Sequence, residues 1–279
     1  MKNRFDPALR HGFQSYSTMS QYNLLAASFM SAAWLFADDD IPERACPAES
    51  GGFAFSLPQF HKIFANAGGL YVELDTAPDP EYDSAGLIRI HKTGVDSLIG
   101  PSAGGAIVDG PVAIGIAWRE EDNWQSLAAL RHGQVESEFA LQKAEPNDVR
   151  FSVRYVLNRP AVKAVVETYR VTPEQVEVNS EIEGNVSKLR VQFPALAFDG
   201  EEAFPIEIHD ATATVRMNDS REDFTVESPA RVILSKSEAW ISSRNGFLQT
   251  IAGEISGKRV TYAIKPFAAP IRHAAEIQK

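Results

Sequence analysis

The 279-residue chain carries 37 acidic against 27 basic side chains, for a formal net charge of -10, and its length suits one large all-β domain or two modest ones around a substantial core. No lysine or arginine cluster is dense enough to track phosphates, and the general field repels nucleic acid and anionic membranes, so neither is an expected partner. The single cysteine, Cys46, excludes an internal disulfide and a cysteine-based metal cluster.

The opening residues, MKNRFDPALRHGFQSYS, are basic but run into no apolar stretch, so they lack the layout of a signal peptide. Residues 20–37 predict a helix. Leu24, Ala27, Phe29, Met30, Trp34 and Leu35 leave few polar positions on its wall, which predicts burial around most of its circumference. The apolar part, 24–37, is too short and too polar-flanked to span a bilayer, and no membrane span is expected. Asp38, Asp39, Asp40 and Pro42 end the helix, because acids beyond a C-terminus oppose its dipole and proline cannot continue it. The chain divides on this reading into a helical segment and linker, 1–50, and a β domain, 51–279.

From Gly51 the apolar period shortens toward two, with LYVELDT a strand and RIHKTG a short extended piece inside the loop-rich region 77–110. If LPQFHKIFA is helical, Phe60, Ile63 and Phe64 form an apolar side with His61 beside them, which suits a buried structural histidine as well as a catalytic one; Phe60 and Phe64 are assigned to the core. Strands are then predicted at 112–118, 134–142, 149–157, 161–171, 175–184, 188–196, 213–219, 230–235, 246–255 and 259–267. In VEVNSEIEG, Val176, Val178 and Ser180 alternate with Glu177, Asn179 and Glu181, giving one dry and one wet face, the mark of antiparallel sheets packed together. VTPEQVEV reads as strand, turn, strand, with Pro173 in the turn. FDGEEAF, 198–204, is a turn whose acids are expected to face water. So many short strands without helical patterns between them predict a β-sandwich.

SYSTMSQYNLLAAS, then GGFAFSLPQFHKIFANAGGLYVELDTAPDPEYDSAGLIRIHKTGV, and later VVETYRVTPEQVEVNSEIEG followed by FPALAFDG resemble the C-terminal half of large bacterial carbohydrate-active enzymes. These are polysaccharide lyases of the heparinase II/III kind, and the resemblance runs from about residue 11 to about 267, strongest over 15–92. It implies a mainly β fold: a large antiparallel β-sandwich, supersandwich-like, preceded by a short helical segment that ends an (α/α) toroid. It also implies a polysaccharide or oligosaccharide partner, β-elimination at a uronate, no cofactor, and relatives that are periplasmic or secreted. Most of a toroid would precede Met1, which implies a truncated form with an upstream helical toroid chain as a further partner.

Elimination at a uronate needs a group that neutralises the carboxylate, a base for the C5 proton and an acid for the leaving oxygen. Residue types suited to this gather in Tyr16, Gln21, Tyr22, Asn23, His61, Tyr71, Tyr82, Arg89 and His91. In an extended RIHK, Arg89 and His91 share one side and Ile88 and Ile90 the other, so the basic pair faces a cleft or water. Arg89 and His91 are the preferred site residues, with Tyr22, His61 and Tyr71 as further catalytic candidates. Tyr71, Glu73 and Asp75 share a strand face suited to sugar hydroxyls or to plain solvation; Asn23, Glu73, Tyr82 and Trp124 are the substrate-binding candidates. Trp124 either stacks on a sugar or caps the sandwich edge.

Two other classes stay open. One is a noncatalytic β-sandwich that serves as a scaffold or binds glycan. The other is a glycoside hydrolase using two carboxylates among Glu73, Asp75, Asp79, Glu81 and Asp83, which would need a separation of about 5–9 Å. No HxxxH or HExxH spacing occurs among the six histidines, so no metal is expected, and the alternative is a dispersed set such as His61, His91 and Asp75.

Overall fold

The structure is a computed structural model that describes residues 20–38, 40–42, 44–77, 84–100, 102, 112–131, 133–157, 159–199, 202–217, 220–228, 231–243 and 246–268, with the backbone alone for 20–23, 48 and 268. Helix α1, Ser20–Leu35, is followed by a helical turn at Pro47–Ser50 and then by strands. β1 (Phe53–Leu57), β2 (Lys62–Ala67), β3 (Leu70–Asp75) and β4 (Gly86–Lys92) form a four-stranded antiparallel meander. β5 (Gly115–Glu120) and β6 (Asn123–Ser126) form a hairpin, and β7 (Val135–Glu145), β8 (Asp148–Leu157), β9 (Val162–Val171) and β10 (Val176–Gly184) run up and down in sequence order. The chain continues through β11 (Lys188–Phe198), β12 (Ile206–His209), β13 (Thr212–Met217), β14 (Ser220–Glu227), β15 (Ser235–Lys236), β16 (Ile241–Ser243), β17 (Gly246–Ser256) and β18 (Arg259–Ala268).

An eight-stranded sheet, β12-β13-β14-β18-β10-β9-β8-β7, forms one layer of the sandwich. Its dry face follows directly from alternation: Val149, Phe151, Val153 and Tyr155 of β8 lie in register with Val171, Tyr169, Glu167 and Val165 of β9, and all are buried. The four-stranded sheet packs on the β7–β9 half of that face. A six-stranded sheet, β15-β17-β11-β5-β6, with β16 also on β17, packs on β18. Phe193 of β11 joins these two layers, its ring centroid 4.9 Å from that of Phe224 and 5.5 Å from that of Tyr262. The buried residues from Ala54 to Ile264 form a single hydrophobic cluster. The other face of the eight-stranded sheet is laced with exposed pairs such as Arg154–Glu183 and Arg259–Glu181, each worth little alone.

The dry face also holds charge. Glu167 accepts from the Ser180 hydroxyl at 3.2 Å and from the Tyr169 hydroxyl, and burial pushes its pKa up to about 7 against the pull of both donors. The Tyr155 hydroxyl is buried nearby and has no hydrogen-bond partner among the described residues. Glu222 of β14 accepts the Leu98 N–H at 3.0 Å and so ties the connection after β4 to the large sheet.

Several expectations are corrected. α1 forms as predicted, but it is not buried: Leu24, Leu25, Phe29, Met30 and Leu35 are exposed, and Trp34 is 82 % exposed. An all-apolar wall says what a helix prefers to cover, and no described element covers it. LPQFHKIFA is not a helix. A single 3₁₀ turn at Pro58–Phe60 ends at His61, whose left-handed φ of 55° sends the chain into β2. Ile63 and Ala65 then face the core, while Phe60 is exposed and Phe64 lies on the outer face, because the period there is two. Among the described residues of this segment, 231–235, only Ser235 is in a strand, although Val232 and Leu234 are buried. In FDGEEAF, Asp199 is buried and accepts the Glu202 N–H at 2.8 Å, so this acid builds the turn from within. Strands β1, β6, β12, β14 and β16 were not predicted; β14, SREDFTVE, hides its period behind the buried acids Glu222 and Asp223.

Candidate functional site

The residues of interest lie on the outer face of the four-stranded sheet. Between β2 and β3 the chain turns at Gly68 and Gly69, with φ of 52° and 81°; two successive positive φ values make the tight hairpin turn that matches strand twist. The Asn66 side-chain oxygen accepts the Gly69 N–H at 3.2 Å and closes the turn. Thr93 N donates to Gly69 O at 3.0 Å, which brings the end of β4 against the same turn. Tyr71 thereby falls opposite His91, and Glu73 opposite Arg89. A bulge follows, since Glu73 pairs Arg89 while Leu74 pairs Leu87, and Ile88 is the extra residue. Leu87, Ile88 and Ile90 are buried, whereas Arg89 and His91 project outward, as alternation predicts.

Aromatic rings cross this face from strand to strand. Phe55 lies 5.8 Å from Phe64, Phe64 lies 6.2 Å from Tyr71, and Tyr71 lies 6.4 Å from His91, the last two pairs stacked. At the other end of the face, Lys62 forms ion pairs with the buried Asp75 and, at 4.0 Å, with Glu73. Beside Tyr71 and His91, a shallow hollow of about 250 Å³ is completed by Gly69, Lys92 and Thr93.

Electrostatics sets the protonation states. Partial burial, with the Glu73 carboxylate beside it, pushes the Tyr71 pKa up to about 12 although Arg89 pulls it down, so the phenol keeps its proton at neutral pH. Desolvation against Tyr71 and the charge of Arg89 lower the His91 pKa more than Glu73 raises it, and the imidazole is therefore neutral. A neutral imidazole that can accept a proton, a phenol that can give one and a guanidinium that can bind a carboxylate thus lie on neighbouring positions of two strands.

Not every candidate joins this group. His61 is exposed in the turn before β2, at the end of that strand away from Tyr71. Trp124 lies in β6 of another sheet with the Arg190 guanidinium 4.1 Å from its ring centroid, so one ring face is already taken. Tyr22 and Asn23 fall in the first turn of α1, but their side chains, like Tyr82, lie outside the described residues. Among the described residues no three His, Cys, Asp or Glu side chains gather as metal ligands, and His61, His91 and Asp75 form no such group. Glu73 and Asp75 of the paired-carboxylate alternative both serve Lys62; Asp79, Glu81 and Asp83 lie outside the described residues. Sequence reasoning missed Lys62 and Phe64. Reading KIFANA with a period of two would have placed both beside Tyr71 and Glu73.

No family model and no curated protein matches the chain. Solved structures do. A heparinase III gene product aligns over 88 % of this chain with a TM-score of 0.60 at 12 % identity. The fold is that of the heparinase III chains. Heparan sulfate lyase HepC from Pedobacter heparinus aligns over 88 % with a TM-score of 0.54 at 14 % identity, and a further heparinase III over 79 % with 0.56 at 9 %. The chain spans 42 % of the length of the first two and 37 % of the third. At such identities the likeness fixes the heparinase III-like fold, and the chemistry has to be argued from this chain's own residues.

Proposed function

We propose that this chain is the sandwich part of a polysaccharide lyase that cleaves a uronate-containing glycan by β-elimination, with the outer face of the four-stranded sheet lining the reaction site. The observation that carries the reading is the convergence of Tyr71, Glu73, Arg89 and His91 on neighbouring positions of two strands, with the Tyr71 phenol protonated and the His91 imidazole neutral as elimination requires. Arg89 binds the uronate carboxylate and so acidifies the C5 proton. Neutral His91 takes that proton, the C5 electron pair forms the C4–C5 double bond, the C4–O bond breaks, and the Tyr71 phenol protonates the departing oxygen. Glu73 accepts from the Tyr71 hydroxyl and orients it.

Residues 1–50 are, on this reading, the end of a helical toroid. The exposed apolar wall of α1 supports it: Phe29, Met30 and Trp34 would be covered by further helices, in the same or a separate polypeptide. A second reading, a noncatalytic glycan-binding scaffold, is favoured by the openness of the sheet face, where Phe55 is 43 % exposed. The hydrolase reading is supported less, because both described carboxylates are neutralised by one lysine. The test is ultraviolet detection of unsaturated uronate from a panel of acidic polysaccharides, with the chain alone and with any helical protein found to be encoded next to it. Loss of about 10²-fold or more in His91→Ala is expected of a proton-transfer group. Full activity in both Arg89→Ala and His91→Ala would refute the site, and binding without cleavage would establish the scaffold reading.

A further inference from the structure

The six-stranded sheet carries a second concavity on its outer face, a groove of about 720 Å³. Its floor is Ala252 of β17, in register with Gln192 of β11 on one side and Ser235 of β15 on the other. A methyl group between two longer side chains leaves a trough along the strands. β15 is only two residues long, and the chain beyond it rises as the far wall, held where Ser237 N donates to Thr250 O at 2.8 Å and Thr250 N donates to the Ser237 hydroxyl at 3.1 Å. The trough is therefore built on paired backbone.

Its chemistry opposes that of the molecule as a whole. The protein carries a net charge of -10, yet Arg190, Arg231 and Lys236 line the groove against one carboxylate, Glu254. Arg190 is fixed at one end by its position over Trp124 and by a 3.5 Å bond to Glu254, which also pairs with Lys188 at 3.8 Å. Arg231 stands at the other wall in an exposed 3.3 Å pair with Asp210, which solvent makes easy to exchange. The side chains of Lys236, Gln192 and Thr250 make no hydrogen bond or ion pair to described residues and are available to a ligand. Cations at two walls with an amide and hydroxyls between them match a chain of sugar rings whose hydroxyls alternate with anionic groups. A bare polyanion would leave the neutral donors unused.

We propose that this groove binds an acidic oligosaccharide, one bearing carboxylates or sulfates, at a place separate from the Tyr71–His91 face. The proposal does not depend on that face being catalytic: an inactive protein would still bind here. Calorimetric titration of the full chain carrying Arg89→Ala and His91→Ala isolates the groove, with oligogalacturonate, a sulfated heparan oligosaccharide, neutral cellohexaose and a single-stranded oligonucleotide as probes. Binding of oligogalacturonate, the sulfated probe or both, weakening steeply as the ionic strength rises from about 0.1 M to about 1 M, is expected. Which of the two binds decides between carboxylate and sulfate. Adding Arg231→Ala and Lys236→Ala, both exposed and outside the core, should weaken it at least about tenfold. No binding of either acidic probe, binding unchanged by those substitutions, or equal binding of cellohexaose or the oligonucleotide would overturn the proposal. Far-ultraviolet circular dichroism confirms that the variant is folded.

Discussion

Replacing Glu222 by glutamine tests the view that a buried acid pins the connection after β4 to the large sheet. Burial pushes its pKa from an ordinary 4.5 to about 8, outweighing the Leu98 and Ile99 N–H groups that favour the carboxylate; Asp223 adds to the rise. Between those values the folded chain holds a proton that the unfolded chain has released, so stability falls as pH rises through the window. At about 1.4 kcal/mol per pH unit the loss is about 3 kcal/mol by pH 7, with an upper limit of about 5 kcal/mol once pH exceeds the folded value. Glutamine keeps the size and a carbonyl acceptor for the Leu98 N–H but cannot ionise. Urea unfolding of both proteins from about pH 5 to about pH 9 should show the variant's relative stability rising with pH by about 3 to 5 kcal/mol. Glu167, pushed up to about 7, adds the same slope to both and cancels in the difference. Parallel curves for the two proteins would refute the reasoning.

Lys62→Met removes the cation paired with the buried Asp75 carboxylate, which keeps the Ala77 N–H at 2.8 Å, and should cost about 3 kcal/mol in urea unfolding, whereas a loss below about 1 kcal/mol would mean that the pair is not needed. If His91 is the base, the acidic limb of the kcat/KM profile should fall below the ordinary histidine range, because desolvation and Arg89 keep the ring neutral to lower pH; a limb above that range contradicts the assignment. Gly246→Ala should destabilise the sandwich by about 2 kcal/mol or more, since φ is 125° there and a Cβ would run into the Phe198 carbonyl; a thermal shift near zero would show that the turn can move. Phe29→Glu with Trp34→Glu should leave the unfolding free energy of the sandwich within about 0.5 kcal/mol while reducing apolar-dye binding, and a larger loss would mean that α1 packs on the sheets.

Alternation made a large part of the fold legible from sequence. In β8 and β10 the buried positions alternate along the strand, each side chain's face follows from its neighbour's, and the structure places Val176, Val178 and Ser180 inside as the pattern requires. Arg89 and His91 on one side of β4, with Ile88 and Ile90 on the other, followed from the same local rule. Where the rule was masked the reading failed: a proline and a left-handed His61 broke the start of β2, and buried acids hid β14.

The sequence by itself thus determined which side chains share a face of a strand, because that depends only on the pleat. Tertiary structure alone decided which strands are neighbours and in what register. Only the pairing of β2, β3 and β4 brings Lys62 to Asp75 and Tyr71 to His91, and only the order β15-β17-β11 brings Gln192, Ala252 and Ser235 into one row. Those choices minimise the free energy of the whole core, to which every strand contributes, and no local window of sequence contains them.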